Sequence, residues 1–202
     1  MVKLIAGLGN PGREYARTRH NVGFEVVEAL AARHGARWTK KPDAELARWG
    51  QDAVLVKPQT FMNLSGGAVQ RWQQFYKVAI EDVLIVVDDV NLEAGRLRIR
   101  RSGSPGGHNG LKSIRASLGS DQFPRLRVGV GGGERKELSS HVLGKFTPDE
   151  EKVIETAIDK AVEAAEVFVS AGPAEAMNRF NRRETESGKR EAGNGQQEAE
   201  DN

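Results

Sequence analysis

Four histidines, at positions 20, 34, 108 and 141, are the side chains of this chain whose ordinary pKa puts a proton exchange near pH 7. There is no cysteine, no G-x-S-x-G turn and no H-E-x-x-H pair. Their absence excludes disulfides, thiolate nucleophiles, cysteine-held zinc or iron–sulfur clusters, the serine-hydrolase elbow and the zincin helix. His20 lies in a polar stretch with Asn10, Tyr15 and Asn21, and His108 lies in Gly106-Gly107-His108-Asn109-Gly110. Two further polar clusters follow apolar runs: Asp88-Asp89 after Val83–Val87, and Gln59-Thr60-Phe61-Met62-Asn63 after the run ending at Lys57. The chemistry open to such a set is hydrolysis by water, with a histidine as base and no metal.

The elements that must hold these groups begin with Lys3–Leu8, a short buried strand. It runs into Gly7-Leu8-Gly9-Asn10-Pro11-Gly12, which fits G-x-G-x-x-G letter for letter. The surroundings do not suit a dinucleotide. A Rossmann loop opens straight into a helix whose N-terminus faces the pyrophosphate, whereas Pro11–Tyr15 continues as loop and helical periodicity starts only near Val22. The third glycine of the fingerprint packs that helix on the sheet, and Gly12 has none to pack. The acid expected about 20 residues on, at a strand end, falls in or just after the 22–34 helix. The stretch reads as a Gly/Pro turn at the carboxyl end of the first strand, where open α/β sheets bind ligands.

Periodicity fills in the rest. Val22–His34 is a helix with Asn21 as N-cap and Val22, Val26, Val27, Leu30 and Ala31 on one face. Arg37–Lys57 carries two or three strands. Gly66–Tyr76 is a helix with Val69, Trp72, Phe75 and Tyr76 turned inward. Val83–Val87 is a central strand buried on both faces, and Leu97–Arg100 alternates like a strand with one wet face. Asn109–Leu118 is a short helix and Leu126–Val130 a strand. Thr147-Pro148-Asp149-Glu150 supplies an N-cap, a proline at N1 and a capping-box glutamate. The helix it starts carries apolar residues from Val153 to Val169 and stops at Gly172-Pro173, before a last short helix with Met177 and Phe180. The fold class is α/β: a single three-layer domain whose mixed, partly parallel central sheet is flanked by helices.

With 202 residues, 38% of them apolar and 29% charged, the chain suits one soluble domain, expected over residues 1–183. Residues 184–202 hold six acids, two bases and no bulky apolar side chain, so a disordered acidic tail is expected there. Without it, 28 bases face 22 acids, and the domain is basic enough for a polyanionic partner. No apolar run approaches a membrane span and no signal-peptide core opens the chain, so a reducing, cytoplasmic setting is expected.

Together, GLGNPGREYARTRHNVGF (7–24), KPQTFMNLSG (57–66), DDVNLEAGRLRIR (88–100), GGHNGLKSI (106–114), FPRLRVGVG (123–131) and HVLGKF (141–146) resemble the bacterial peptidyl-tRNA hydrolases. The resemblance covers about residues 3–182. It implies hydrolysis of the ester between a peptide and the 3′ ribose of tRNA, with no cofactor and no metal. It further implies that His20 is the general base, that Asp88 holds its imidazole, and that Asn10 and Asn63 place the ester and stabilise charge on its oxygen. Tyr15, Met62, Gly107, His108 and Asn109 fall among the substrate-binding positions, with Asn109 and the Gly106-Gly107 turn as readers of the peptide backbone. His108 is equally open to a structural role, and His34 and His141 read as surface or packing residues. The family often shows H-D-[DE]-L-D-L where this chain has Val87-Asp88-Asp89-Val90-Asn91-Leu92, which leaves Asp88 against Asp89 open.

Period 2 puts Arg96, Arg98 and Arg100 on one face of a strand, a row that suits phosphates. Arg125 and Arg127 add charge from another strand. By resemblance Arg100 and Arg127 are the pair for the tRNA 5′ phosphate, and Lys112 and Arg115 reach the acceptor stem. Gly131–Ser140 is expected to be a mobile loop beside the cleft. The chain is expected to act as a monomer. Two rival readings are a non-catalytic RNA-binding protein on the same scaffold, opposed by Asn10, His20, Asn63 and Asp88 all being present, and a nucleotide-dependent enzyme, opposed by the context of the glycine turn.

Overall fold

The computed structural model describes residues 2–132 and 138–181. Seven strands form one sheet: β1 (Lys3–Gly7), β2 (Trp38–Lys40), β3 (Ala44–Trp49), β4 (Ala53–Pro58), β5 (Val83–Asp89), β6 (Leu97–Arg100) and β7 (Arg125–Gly129). Their order is β2-β3-β4-β1-β5-β7-β6. The four central strands β4, β1, β5 and β7 run parallel, and β2, β3 and β6 are antiparallel additions at the two edges. Parallel strands buried on both faces need continuous apolar runs, and β4 and β5 are buried along their whole lengths.

Among the described residues, α1 (Val22–Arg33), α2 (Ser65–Phe75), α3 (Asn109–Leu118) and α5 (Pro148–Phe180) cover the sheet, and a short helix, α4 (Leu138–Leu143), packs on the 3-10 turn at Arg19–Asn21. One apolar core joins α1 and α5 to Ile5, Leu55, Leu84, Val86, Leu126 and Val128. The other joins α2 and α3 to Leu4, Ala6, Val54, Val56, Ile85 and Val87. This alternation along each strand makes the three layers. α5 starts in the expected capping box of Thr147 and Glu150, and it is broken at Gly172 (φ 82°, ψ 176°), where the stop was expected.

Glycines of the first turn serve packing. A Cβ on Gly7 would lie 2.0 Å from the Gly23 carbonyl oxygen, and one on Gly23 would lie 2.5 Å from the carbonyls of Leu8 and Val86. Helix α1 therefore rests backbone to backbone on β1, at Gly7 and not at Gly12. Between them the chain makes two short 3-10 turns, Arg13–Tyr15 and Arg19–Asn21.

Some expectations need correction. Asn21 sits at the N-cap position of α1 but makes no side-chain cap. Phe75 is 67% exposed, not inward: it is the last residue of α2, and its ring packs on Trp72 and Tyr76 from the solvent side. Val153 is also exposed. Arg125 presents no surface charge. It is 1% exposed, and its guanidinium donates to the carbonyls of Gly103, Ser104, Asp121 and Phe123. The expected tail at 184–202 and the core of the expected mobile loop at 131–140 lie outside the described residues.

Candidate active site

The carboxyl ends of β1, β4 and β5 open on a cavity of about 610 Å³. Asn10 arrives on the loop after β1, Met62 and Asn63 on the turn after β4, and Asp88 at the end of β5. His108 and Asn109 come from the start of α3, and His20 from the 3-10 turn before α1. Distant stretches of sequence thus meet where the parallel strands end.

His20 and Asp88 form the centre. His20 Nδ1 lies 2.8 Å from Asp88 Oδ1, and His108 Nε2 lies 3.0 Å from the same oxygen. The two rings are tilted, with centroids 5.0 Å apart. The tautomer of His108 follows from its other nitrogen. Nδ1 accepts the Leu111 N–H at 3.3 Å, as the N-cap of α3, so Nε2 carries the proton and donates to Asp88. A carboxylate oxygen can only accept, so His20 also donates through Nδ1–H. In the neutral ring Nε2 then carries the lone pair, on a residue that lines the cavity. Burial alone would raise the Asp88 pKa. The attraction and hydrogen bond of the His108 ring, then those of the His20 ring, outweigh it and hold the carboxyl well below the usual range.

Asp89 points elsewhere. Its Oδ2 pairs with Arg127 Nη1 at 3.1 Å, and its Oδ1 accepts the Asn91 N–H at 2.9 Å. Asp88 is the acid bonded to His20.

Asn10 is 8% exposed and firmly held. Its backbone N–H donates to Asn21 Oδ1 at 2.8 Å, and Asn21 Nδ2 donates back to its carbonyl at 2.9 Å. The Met62 N–H donates to Asn10 Oδ1 at 2.8 Å. With its oxygen occupied, Asn10 offers the cavity its NH2 donors. Asn63 is exposed at the cavity wall, and Asn109 accepts from Lys112 Nζ at 3.4 Å. The turn that delivers His108 needs glycine: φ is 60° at Gly106 and 89° at Gly107.

The cavity therefore brings together His20, Asp88, Asn10, Asn63, Met62, Gly107, His108, Asn109 and Arg127. Tyr15 stays outside the lining, edge-on to Phe61 with centroids 6.5 Å apart. Arg98 and Arg100 lie exposed on β6, and Lys112 and Arg115 on α3, all outside the cavity. Register sets Arg98 opposite Arg127 and Arg100 opposite the buried Arg125. Arg127 is partly committed, to Asp89 and to the Ser104 carbonyl. His34 stacks on Trp49 and bonds Glu166, and His141 bonds the Gly131 carbonyl, as packing residues do.

Sequence reasoning passed over Phe61, Val142 and Leu143, apolar residues of the cavity wall, and Arg19, which braces the wall from behind. A lone apolar side chain at a turn, such as Phe61, or a pair in a helix of six residues, such as Val142 and Leu143, carries too short a pattern to read, and Arg19 reads as one more surface arginine until its partners at 141–150 are known.

The peptidyl-tRNA hydrolase family model matches residues 4–188. Peptidyl-tRNA hydrolase of Clostridium novyi is 46% identical over 184 residues, 88% of this chain and 97% of that protein. That of Caldanaerobacter subterraneus is 48% identical over 182 residues, 88% and 98% of the two chains. The crystal structure of peptidyl-tRNA hydrolase from Acinetobacter baumannii superposes with a TM-score of 0.84 at 39% identity, covering 89% of this chain and 94% of that one.

Proposed function

This chain belongs to the peptidyl-tRNA hydrolase family and is a hydrolase of peptidyl-tRNA by that kinship, and from that premise we propose that His20 is the general base of a metal-independent ester hydrolysis. One observation carries the reading: His20 Nδ1 is committed to a buried carboxylate at 2.8 Å, which leaves Nε2 as an acceptor on the cavity. Nε2 takes a proton from water as the oxygen attacks the carbonyl carbon of the ester. Asp88 keeps the ring in the right tautomer and stabilises the imidazolium. The NH2 groups of Asn10 and Asn63 donate to the developing oxyanion. When the tetrahedral intermediate collapses, the imidazolium returns the proton to the departing ribose oxygen. The bonds holding both His20 and His108 to Asp88 Oδ1 have ordinary hydrogen-bond lengths.

Neutral amides around the ester favour an acylated amine over the free ammonium of aminoacyl-tRNA. Met62, Gly107, His108 and Asn109 line the same space and would hold the peptide beside it, with Tyr15 bracing Phe61 at the rim. The 3′ end of the tRNA enters this cavity. Arg98, Arg100 and Arg127 take backbone phosphates, the 5′ phosphate among them, and Lys112 and Arg115 approach the acceptor stem. The enzyme works as a monomer in the cytoplasm, where it returns tRNA from abandoned translation to use. One chain supplies every residue of the catalytic set, which supports the monomer.

The test compares N-acetyl-aminoacyl-tRNA with unblocked aminoacyl-tRNA, and His20→Ala with the wild type on the blocked substrate. Cleavage confined to the blocked ester and reduced by on the order of 10²–10⁴-fold in the variant is expected. A wild-type protein that binds the tRNA without cleaving it would make the chain an RNA-binding protein on this scaffold.

A further inference from the structure

Arg19, beside His20 in the chain, is 8% exposed, yet it points away from the cavity. Its Nη2 donates to both carboxylate oxygens of Glu150, at 3.0 and 2.8 Å, and its Nη1 donates to the Lys145 carbonyl at 2.8 Å. The His141 carbonyl lies at the limit of the same fork, 3.5 Å from Nη1. The Phe146 ring covers the guanidinium, 5.1 Å from its centroid. The backbone repeats the link: the Arg19 N–H donates to the Gly144 carbonyl at 3.1 Å, and Thr18 forms a bridge with Lys145. One buried side chain thus ties the turn that carries His20 to residues 141–146 and to the first turn of α5. That tied segment bears Val142 and Leu143, the cavity wall contributed by α4.

We propose that Arg19 is a positioning residue, a latch that sets the α4 wall and the His20 turn in one fixed relation, with Glu150 as its keeper. Arginine suits the place because its planar fork grips both oxygens of the carboxylate through Nη2 while Nη1 serves a main-chain carbonyl, a fixed geometry that a point-like ammonium does not hold. Glu150 has a second task. Its carboxylate accepts the Thr147 N–H at 2.8 Å, and its own N–H donates to Thr147 Oγ1, closing the capping box of α5. The two tasks can be separated. Glu150→Gln keeps a capping-box side chain and loses the ion pair. Thr147→Ala weakens the cap and leaves the ion pair.

The inference rests on the His20 reading above, so the experiment includes that control. Turnover of N-acetyl-aminoacyl-tRNA is measured for Arg19→Met, Glu150→Gln, Thr147→Ala and His20→Ala, at a temperature where circular dichroism finds each variant folded. Arg19→Met is expected to lower kcat by roughly 10–100-fold, because small misplacement of a catalytic group costs that much, with KM within about two-fold because phosphate contacts lie elsewhere. Glu150→Gln moves kcat the same way to a smaller extent. Thr147→Ala lowers Tm and leaves kcat unchanged. Should Arg19→Met fail to fold, Glu150→Gln against Thr147→Ala still decides. Loss of rate that tracks loss of Tm across the three variants, or a folded Arg19→Met with wild-type kcat beside an inactive His20→Ala, overturns the latch alone. A His20→Ala enzyme with wild-type rate overturns the base and the latch with it.

Discussion

A buried carboxylate and a half-buried one, Asp88 and Glu25, are driven in opposite directions, and the difference lies in their donors. Asp88 receives two ring N–H groups on one oxygen and stays ionised despite its burial. Glu25, in the first turn of α1, has a buried Oε1 with no hydrogen-bond partner. Burial, opposed by Arg17 and reinforced by Glu28 and Glu151, pushes its carboxyl up to about 7. The sign of the consequence follows from linkage. Below pH 4.5 Glu25 is protonated in both the folded and unfolded chain, and nothing is lost. Between there and about 7 only the unfolded chain releases the proton, so stability falls as pH rises, and above that the full penalty stands. Glu25→Gln removes the penalty. Allowing for its partial solvent access, we expect a gain of about 1–3 kcal/mol at pH 8 and none at pH 4, read from urea unfolding at the two pH values. An equal effect at both would refute the burial penalty. Asp88 and Asp89 also mark a limit of the sequence at this scale. Neighbours on a strand face opposite ways, so only one can meet His20. The choice depends on where a turn 68 residues away comes to rest, which no local pattern encodes.

Elements were legible where their signals were local. The capping box fixed the start of α5, a glycine fixed its break, and the apolar run of β5 announced a strand buried on both faces. What stayed hidden depended on contacts between elements. Arg125 alternates with Leu126 like any strand residue facing water, but the loop around Gly103–Ser104 folds over it and turns it into a buried anchor for carbonyls. Burial and the Arg127 charge, against Asp121, lower its pKa to about 10, so it remains a cation there. The glycine ending F-M-N-x-S-G is another case. Gly66 lies where α2 crosses α3: a Cβ there would sit 2.1 Å from the Ser113 carbonyl oxygen, and its N–H donates to Ser113 Oγ at 2.9 Å. Gly66→Ala must therefore push the two helices apart, and because the 3-10 turn before α2 carries Met62 and Asn63, the push reaches the cavity. We expect a loss of about 1–3 kcal/mol from overpacking, measured as a fall in Tm, together with a lower kcat. A variant of unchanged Tm would mean that the helices separate at no cost.

At the scale of the molecule, the sheet divides the work. Its parallel centre ends in the cavity, and its β6 edge carries the exposed arginines. That edge is closed to further strand pairing at one point, since the Asn181 side chain takes both the N–H and the carbonyl of Ile99, at 2.7 and 3.0 Å. What remains open there is charge. A row of guanidiniums that neutralises phosphates releases counterions, so affinity for tRNA falls with salt in proportion to the phosphates engaged. Arg98 and Arg100 are exposed and make no ion pair among the described residues, whereas Arg125 spends its donors inside the protein. The three arginines should therefore separate cleanly. Replacing Arg98 or Arg100 by Gln should reduce the slope of log KM against log salt by about 1 each and leave Tm unchanged. Arg125→Gln should lower Tm, because it strips four carbonyls of their donor, and leave the slope alone in whatever protein stays folded. The same titration with catalysis followed at saturating tRNA should give one kcat for the wild type, Arg98→Gln and Arg100→Gln, since these side chains lie outside the cavity. Unchanged slopes in both exposed variants would move the phosphate path off β6, to α3 and its Lys112 and Arg115.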